Sequence, residues 1–166
     1  LDADQTVRPE DLPMFIRPME EGNADFVNGT RLVYPMEEGA MPYKNFLGNK
    51  AFCYMASFVM KQRVSDTLCG TKAFFKRDYL NMPLQSKERW GDFDFLYSAA
   101  RLRLRVHEIP VHYQERTAGE SKMRVWKDGW LFLRASIQGW ALTRFPDRYP
   151  LPKRRTPITG WEEITV

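Results

Sequence analysis

Asp2 and Asp4 are the first residues of this chain able to do chemistry, two carboxylates separated by a single residue. At the end of a strand such a pair points to one side and can share a hard divalent cation, which keeps part of its water shell and bridges diphosphate oxygens. A D-x-D triplet alone is better explained by a solvated turn, so its weight depends on the rest of the chain. Asp92 and Asp94 stand at the start of a predicted helix, where unpaired N–H groups and the dipole favour carboxylates as caps. Arg116, Ser121 and Lys122 share a polar segment containing Gly119. A loop with these side chains can close over a diphosphate and exclude water, although solvated charge is the usual explanation. His107 and His112 are five residues apart, which in a strand puts them on opposite faces, so no shared metal site is expected from them.

The elements that must position these residues alternate between helix and strand. Pro9-Glu10-Asp11 followed by Leu12, Phe15, Ile16 and Met19 predicts a helix with acidic residues at its positive end, closed by Gly22. A short strand is predicted over 25–33, interrupted at Asn28-Gly29, and a second helix over about 43–62. The segment 64–70 then leads into a strand at 71–76. A third helix is predicted from Gly91-Asp92-Phe93-Asp94 to about 104, an alternating strand at 105–113 whose Pro110 suggests a sheet edge or a bulge, and a fourth helix over about 125–145. This order predicts an α/β fold. The tail, 146–166, is rich in proline, carries Lys153-Arg154-Arg155 and is expected to be extended or disordered.

Five clusters occur in one order: Asp2-Ala3-Asp4, Gly29-Thr30-Arg31, Asp66-Thr67-Leu68-Cys69-Gly70-Thr71-Lys72, Gly91-Asp92-Phe93-Asp94 and Glu115-Arg116-Thr117-Ala118-Gly119-Glu120-Ser121-Lys122. With the helices between them, they resemble the second half of family 2 glycosyltransferases of the GT-A fold, and most of all the dolichol-phosphate-mannose-synthase group. The resemblance covers 1–145 and leaves the tail unmatched. It implies an inverting enzyme that moves a sugar from a nucleotide-sugar donor to a polyprenyl phosphate. It further implies that Asp2 and Asp4 hold Mg2+ or Mn2+ against the donor diphosphate, and that Arg31 grips the acceptor phosphate with its planar fork. Asp66 orients the sugar or fixes its loop in this reading, and Lys72 meets phosphate; a plain helix-to-strand connection is an equally good account of these two residues. An acid in the place of Asp92 or Asp94 serves as general base where the acceptor is a hydroxyl, whereas a phosphate acceptor needs no strong base. Arg116, Ser121 and Lys122 correspond to a loop over the diphosphate.

The chain opens on Leu1-Asp2-Ala3-Asp4 without an initiator Met, so it is expected to be the metal-and-acceptor half of a longer domain. The strands that bind the donor nucleotide are expected upstream, and the chain alone is expected to be inactive. The net charge of +4 suits an anionic partner, and no recognised nucleic-acid motif is present. Two cysteines, Cys53 and Cys69, are too few to staple a domain of this size and fit a reducing compartment.

No stretch approaches the roughly 18–20 apolar residues of a spanning helix. Trp126, Trp130, Leu133, Ile137 and Trp140 nevertheless share one face of the last helix, with Lys127, Arg134 and Gln138 beside them. Such a face suits either a core or the headgroup zone of a bilayer. In the resembled group these helices lie on the cytoplasmic face of a membrane, which implies peripheral attachment. Two alternatives remain at this level: a glycosyltransferase acting on a glycan hydroxyl, and a non-catalytic membrane-surface module. The Asn28-Gly29-Thr30 sequon is read as accidental, because a glycan beside Arg31 would obstruct the site.

Overall fold

The computed structural model describes residues 9–31, 33, 43–83, 91–112, 125–148 and 164–165. A 3-10 turn at Pro9–Asp11 leads into α1 (Leu12–Glu20), whose first turn accommodates Pro13 because the N–H groups there have no helical acceptor. Gly22, at φ 71°, reverses the chain after α1. Next come β1 (Phe26–Thr30), α2 (Tyr43–Met60), β2 (Lys72–Phe75), the single turn α3 (Lys76–Tyr79), α4 (Asp92–Arg101), β3 (Val106–Pro110), α5 (Val125–Arg144) and β4 (Ile164–Thr165). The α/β alternation expected from sequence is present, and α3 is an addition to it.

The sheet order is β3-β1-β2-β4. β1 and β3 run parallel, while β2 is antiparallel to β1 and to β4. Among the described residues β3 is an edge strand, one of the two readings Pro110 allows, and Ile164–Thr165 at the end of the tail pair with β2. β1 runs without interruption through Asn28-Gly29, where the sequence pattern suggests a break. The reason is local: a Cβ on Gly29 would lie 2.7 Å from Cys69 Sγ and 3.1 Å from the Thr71 carbonyl, so glycine is what lets the next segment approach the strand.

Each sheet face has its own apolar cluster. Val27, Ala73 and Ile109 meet Phe15 and Met19 of α1 on one side. Phe26 and Phe74 meet Ala56 and Met60 of α2, Phe93, Leu96 and Tyr97 of α4, and Phe132 and Leu142 of α5 on the other. Phe52, Phe93 and Phe132 close the junction of the three helices, with ring centroids 5.0–5.9 Å apart. Full burial of each such ring contributes about 1.5–3 kcal/mol. The sheet is therefore covered by α1 on one side and by α2, α4 and α5 on the other.

Candidate functional site

Side chains two apart on a strand share a face, so Asn28 and Thr30 continue the face begun by Phe26. Here the apolar core gives way to polar groups at the C-terminal ends of the parallel strands β1 and β3. In open α/β sheets this is the end at which ligands bind. Glu108 of β3 accepts hydrogen bonds from the Ser65 N–H at 2.9 Å and the Ser65 hydroxyl at 2.8 Å. The Ser65 hydroxyl also lies 2.9 Å from Thr30 Oγ1, and Asn28 Nδ2 donates to the Asp66 carbonyl at 2.8 Å. The 65–66 segment is thus pinned to both strands. Asn28 is fully buried, so the folded chain cannot present its sequon for glycosylation.

Arg31 emerges from the end of β1 directly onto Asp66. Its Nε donates to Asp66 Oδ2 at 2.7 Å, its Nη2 to Oδ1 at 2.9 Å, and its backbone N–H to Oδ2 at 3.1 Å. Asn49 Nδ2 and the Leu68 N–H also donate to Oδ1, at 2.8 and 3.0 Å. Burial pushes the Asp66 carboxyl upward, but the Arg31 charge and these hydrogen bonds outweigh it and hold the group below the usual carboxylate range. The carboxylate is fully enclosed while the Arg31 side chain is 11% exposed. In this geometry Asp66 orients Arg31 and anchors the loop.

Lys72 lies opposite Asn28 in the β1–β2 register. Its ammonium contacts Asp92 Oδ1 at 2.6 Å and donates to the Cys69 carbonyl. Asp92 is the first residue of α4, so its carboxylate meets both a cation and the positive end of a helix. Its Oδ1 is thereby already engaged by the Lys72 ammonium. Asp94 lies in the same first turn, partly buried. The structure therefore joins Arg31 to Asp66 and Lys72 to Asp92. Asp2, Asp4, Arg116, Ser121 and Lys122 lie outside the described residues. Among the described residues no group of three or more His, Cys, Asp or Glu could hold a metal ion.

Asn49, Ser65 and Glu108 were not singled out from sequence. The available signal was a lone amide within the otherwise apolar inner side of a helix, and a carboxylate inside an alternating strand. Both residues are partnered by segments distant in the chain, which periodicity does not report. Cys53 and Cys69 are free and buried, their thiols pushed up by burial and by the Asp66 charge to about 12 and about 11.

Of the apolar face predicted for the last helix, Trp130, Ile137 and Trp140 point outward on α5, Leu133 is half-buried, and the Trp126 side chain lies outside what is described. Trp130 is 69% exposed and Ile137 58%, with Trp140 beside them, whereas the inner side is built from Asp128, Phe132, Ser136, Gly139 and Leu142. Gly139 lets α5 press against Tyr97, and the Tyr97 hydroxyl donates to Ser136 at 2.9 Å. α2 has the same inverted character: Tyr43, Leu47, Tyr54 and Phe58 are exposed along one side. Among the described residues no helix is long and apolar enough to cross a membrane.

An α/β domain with an arginine held at the ends of parallel strands, next to helices with aromatic outer faces, defines the class to which the comparisons give a family. Residues 1–82 match the family described as Glycosyl transferase family 2. The chain is 36% identical over 123 residues to a dolichyl-phosphate hexose transferase of Haloferax volcanii, covering 74% of this chain and 51% of that protein. It is 27% identical over 112 residues to a UDP-N-acetylglucosamine–dolichyl-phosphate N-acetylglucosaminyltransferase of Methanococcus voltae, covering 66% of this chain and 45% of that protein. The chain spans about half the length of these curated relatives. No solved structure matches it significantly. The chain belongs to glycosyl transferase family 2 and, within it, groups with the dolichol-phosphate sugar transferases.

Proposed function

We propose that this chain supplies the acceptor side of a transferase that moves a sugar from a nucleotide-sugar donor to a polyprenyl phosphate at a membrane surface. The observation that carries this reading is the Arg31–Asp66 fork. An arginine locked by a buried carboxylate at the strand ends, its side chain partly open to solvent, is suited to a phosphomonoester and is ordered in advance of binding. Lys72 lies across the register from Asn28, buried with its ammonium on Asp92. Its pairing with Asp92 favours a phosphate acceptor over a hydroxyl one, because Asp92 Oδ1 is already taken by the ammonium and is not left open to receive a hydroxyl proton.

The remaining parts of the proposal rest on the family resemblance and on side-chain chemistry. Asp2 and Asp4 form a carboxylate pair of the kind that binds Mg2+ or Mn2+, and such an ion neutralises charge on a departing nucleoside diphosphate. Arg116, Ser121 and Lys122 would close over the diphosphate. Peripheral attachment, on the cytoplasmic side, would use the outer faces of α2 and α5. Donor-nucleotide contacts would come from the part of the relatives' length that this chain does not span, so the chain alone is expected to be inactive.

The test compares sugar transfer by this chain with transfer by a longer polypeptide that includes the part of the relatives' length this chain does not span. Labelled sugar should pass from a nucleotide donor into the lipid fraction only with the longer polypeptide, only when polyprenyl phosphate is supplied, and should fall at least about a hundredfold in Arg31→Ala. Transfer to a glycan hydroxyl, or unchanged transfer in Arg31→Ala, would overturn the acceptor assignment. Robust turnover by the chain alone would overturn the division of labour.

A further inference from the structure

Asn49 is 2% exposed in the middle of α2, on the side opposite Leu47, Tyr54 and Phe58 by the 3.6-residue period. A buried amide on an apolar helix face is costly unless its hydrogen bonds are made, and here they are directed at a single loop. Its Oδ1 accepts from the Thr67 hydroxyl at 2.9 Å and the Thr67 N–H at 3.3 Å, with the Cys53 thiol at 3.5 Å. Its Nδ2 donates at 2.8 Å to Asp66 Oδ1, the same oxygen that takes Arg31 Nη2. Holding the loop would need only the acceptor half of the amide. The donor half instead joins the Leu68 N–H on Oδ1 and the Arg31 backbone N–H on Oδ2 in fixing which way the Asp66 carboxylate turns, and that carboxylate holds the Arg31 guanidinium.

We infer that Asn49 is a positioning residue for phosphate recognition, acting on Arg31 through Asp66. Because it sits on the inner side of the helix whose outer side carries the exposed aromatic residues, it also ties seating of α2 on a lipid surface to the orientation of Arg31. This inference rests on the acceptor-phosphate reading of Arg31. Linkage makes the coupling reciprocal: a phosphate headgroup at Arg31 tightens surface attachment as much as attachment favours the headgroup.

The probe is a pair of phosphatidylcholine vesicles, one containing a few mole per cent of polyprenyl phosphate and the other the same amount of uncharged polyprenol, with binding of the full chain read by cosedimentation. Wild type should prefer the phosphate vesicles. Asn49→Ala should reduce that preference by about tenfold while leaving attachment to polyprenol vesicles unchanged. Arg31→Ala should abolish the preference, and adding Asn49→Ala to it should have no further effect. Ser57→Ala removes a different contact between α2 and the same loop, that with the Val64 N–H, and should leave the preference intact. Thr67→Val, which keeps the Asp66 contact but loosens the amide, should give a smaller loss in the same direction and serves if Asn49→Ala does not fold. Retained preference in Asn49→Ala, or in Thr67→Val where that variant serves, overturns the inference alone, as does an equal loss on both vesicles. A wild type indifferent to the phosphate overturns the acceptor reading and this inference with it.

Discussion

The Asp66 carboxylate receives five hydrogen bonds, three of them from Arg31, and has no access to water. Removing one partner of such a pair leaves the other buried and uncompensated, a loss of about 3–5 kcal/mol. Asp66→Asn should destabilise the chain by an amount in that range, measured by urea denaturation at neutral pH. The pH dependence has a defined sign. Because the folded carboxyl titrates below its unfolded value of about 3.9, the pair's contribution is complete above that value. It is lost as the pH falls through the lower, folded-state value. The acid limb of the wild-type stability profile should therefore be steeper than that of Asp66→Asn, and parallel limbs would show that the pair contributes nothing to folding. At the same scale, Lys72 and Asp92 were legible in sequence as a cation and a helix cap; that they meet each other was not, because twenty residues separate them.

At the scale of elements, helix and strand positions followed from periodicity, but the orientation of α5 did not. Its most apolar stripe faces outward, and a mixed stripe of Asp128, Phe132, Ser136, Gly139 and Leu142 faces in. The inner stripe is selected by fit: a Cβ at position 139 would lie 2.2 Å from the Tyr97 ring, so only glycine allows α4 and α5 their present separation. Gly139→Ala should cost about 1–3 kcal/mol through overpacking, despite alanine's better helix propensity. Thermal melting checks this, and an unchanged or raised midpoint would show that the two helices slide apart freely. Similarly, Asn28-Gly29 has the composition of a turn, yet it lies within β1 because Cys69 and the Thr71 carbonyl occupy the space that a side chain at 29 would need.

Across the whole molecule, two exposed aromatic helix faces coexist with a net charge of +4. Arg144 and Arg148 both lie against the Phe145 ring at the end of α5, placing cations next to an aromatic edge. A cation near an anionic bilayer contributes on the order of 1 kcal/mol. Replacing Tyr54, Phe58, Trp130 and Trp140 together by serine should change stability by less than about 0.5 kcal/mol per site, since these side chains are solvent-exposed. The same replacement should sharply reduce binding to anionic vesicles. Raising salt from roughly 0.1 to 1 M, which shortens the screening length from about 10 to 3 Å, should weaken the electrostatic part and spare the aromatic part. Unchanged vesicle binding by the fourfold variant would remove the surface role of these helices.

The sequence by itself determined the alternation of helices and strands, the family, and the identity of Arg31, Asp66, Lys72 and Asp92 as residues of interest. These are properties of local pattern and motif order, which the linear chain displays directly. Tertiary structure alone decided that Asp66 serves Arg31, that Lys72 is matched to Asp92, that Asn49 and Glu108 brace the loop between them, and that the aromatic stripes face outward. Each of those outcomes depends on which surfaces meet once the sheet is covered on both sides, and on steric limits at Gly29 and Gly139. Neither is encoded in spacing along the chain.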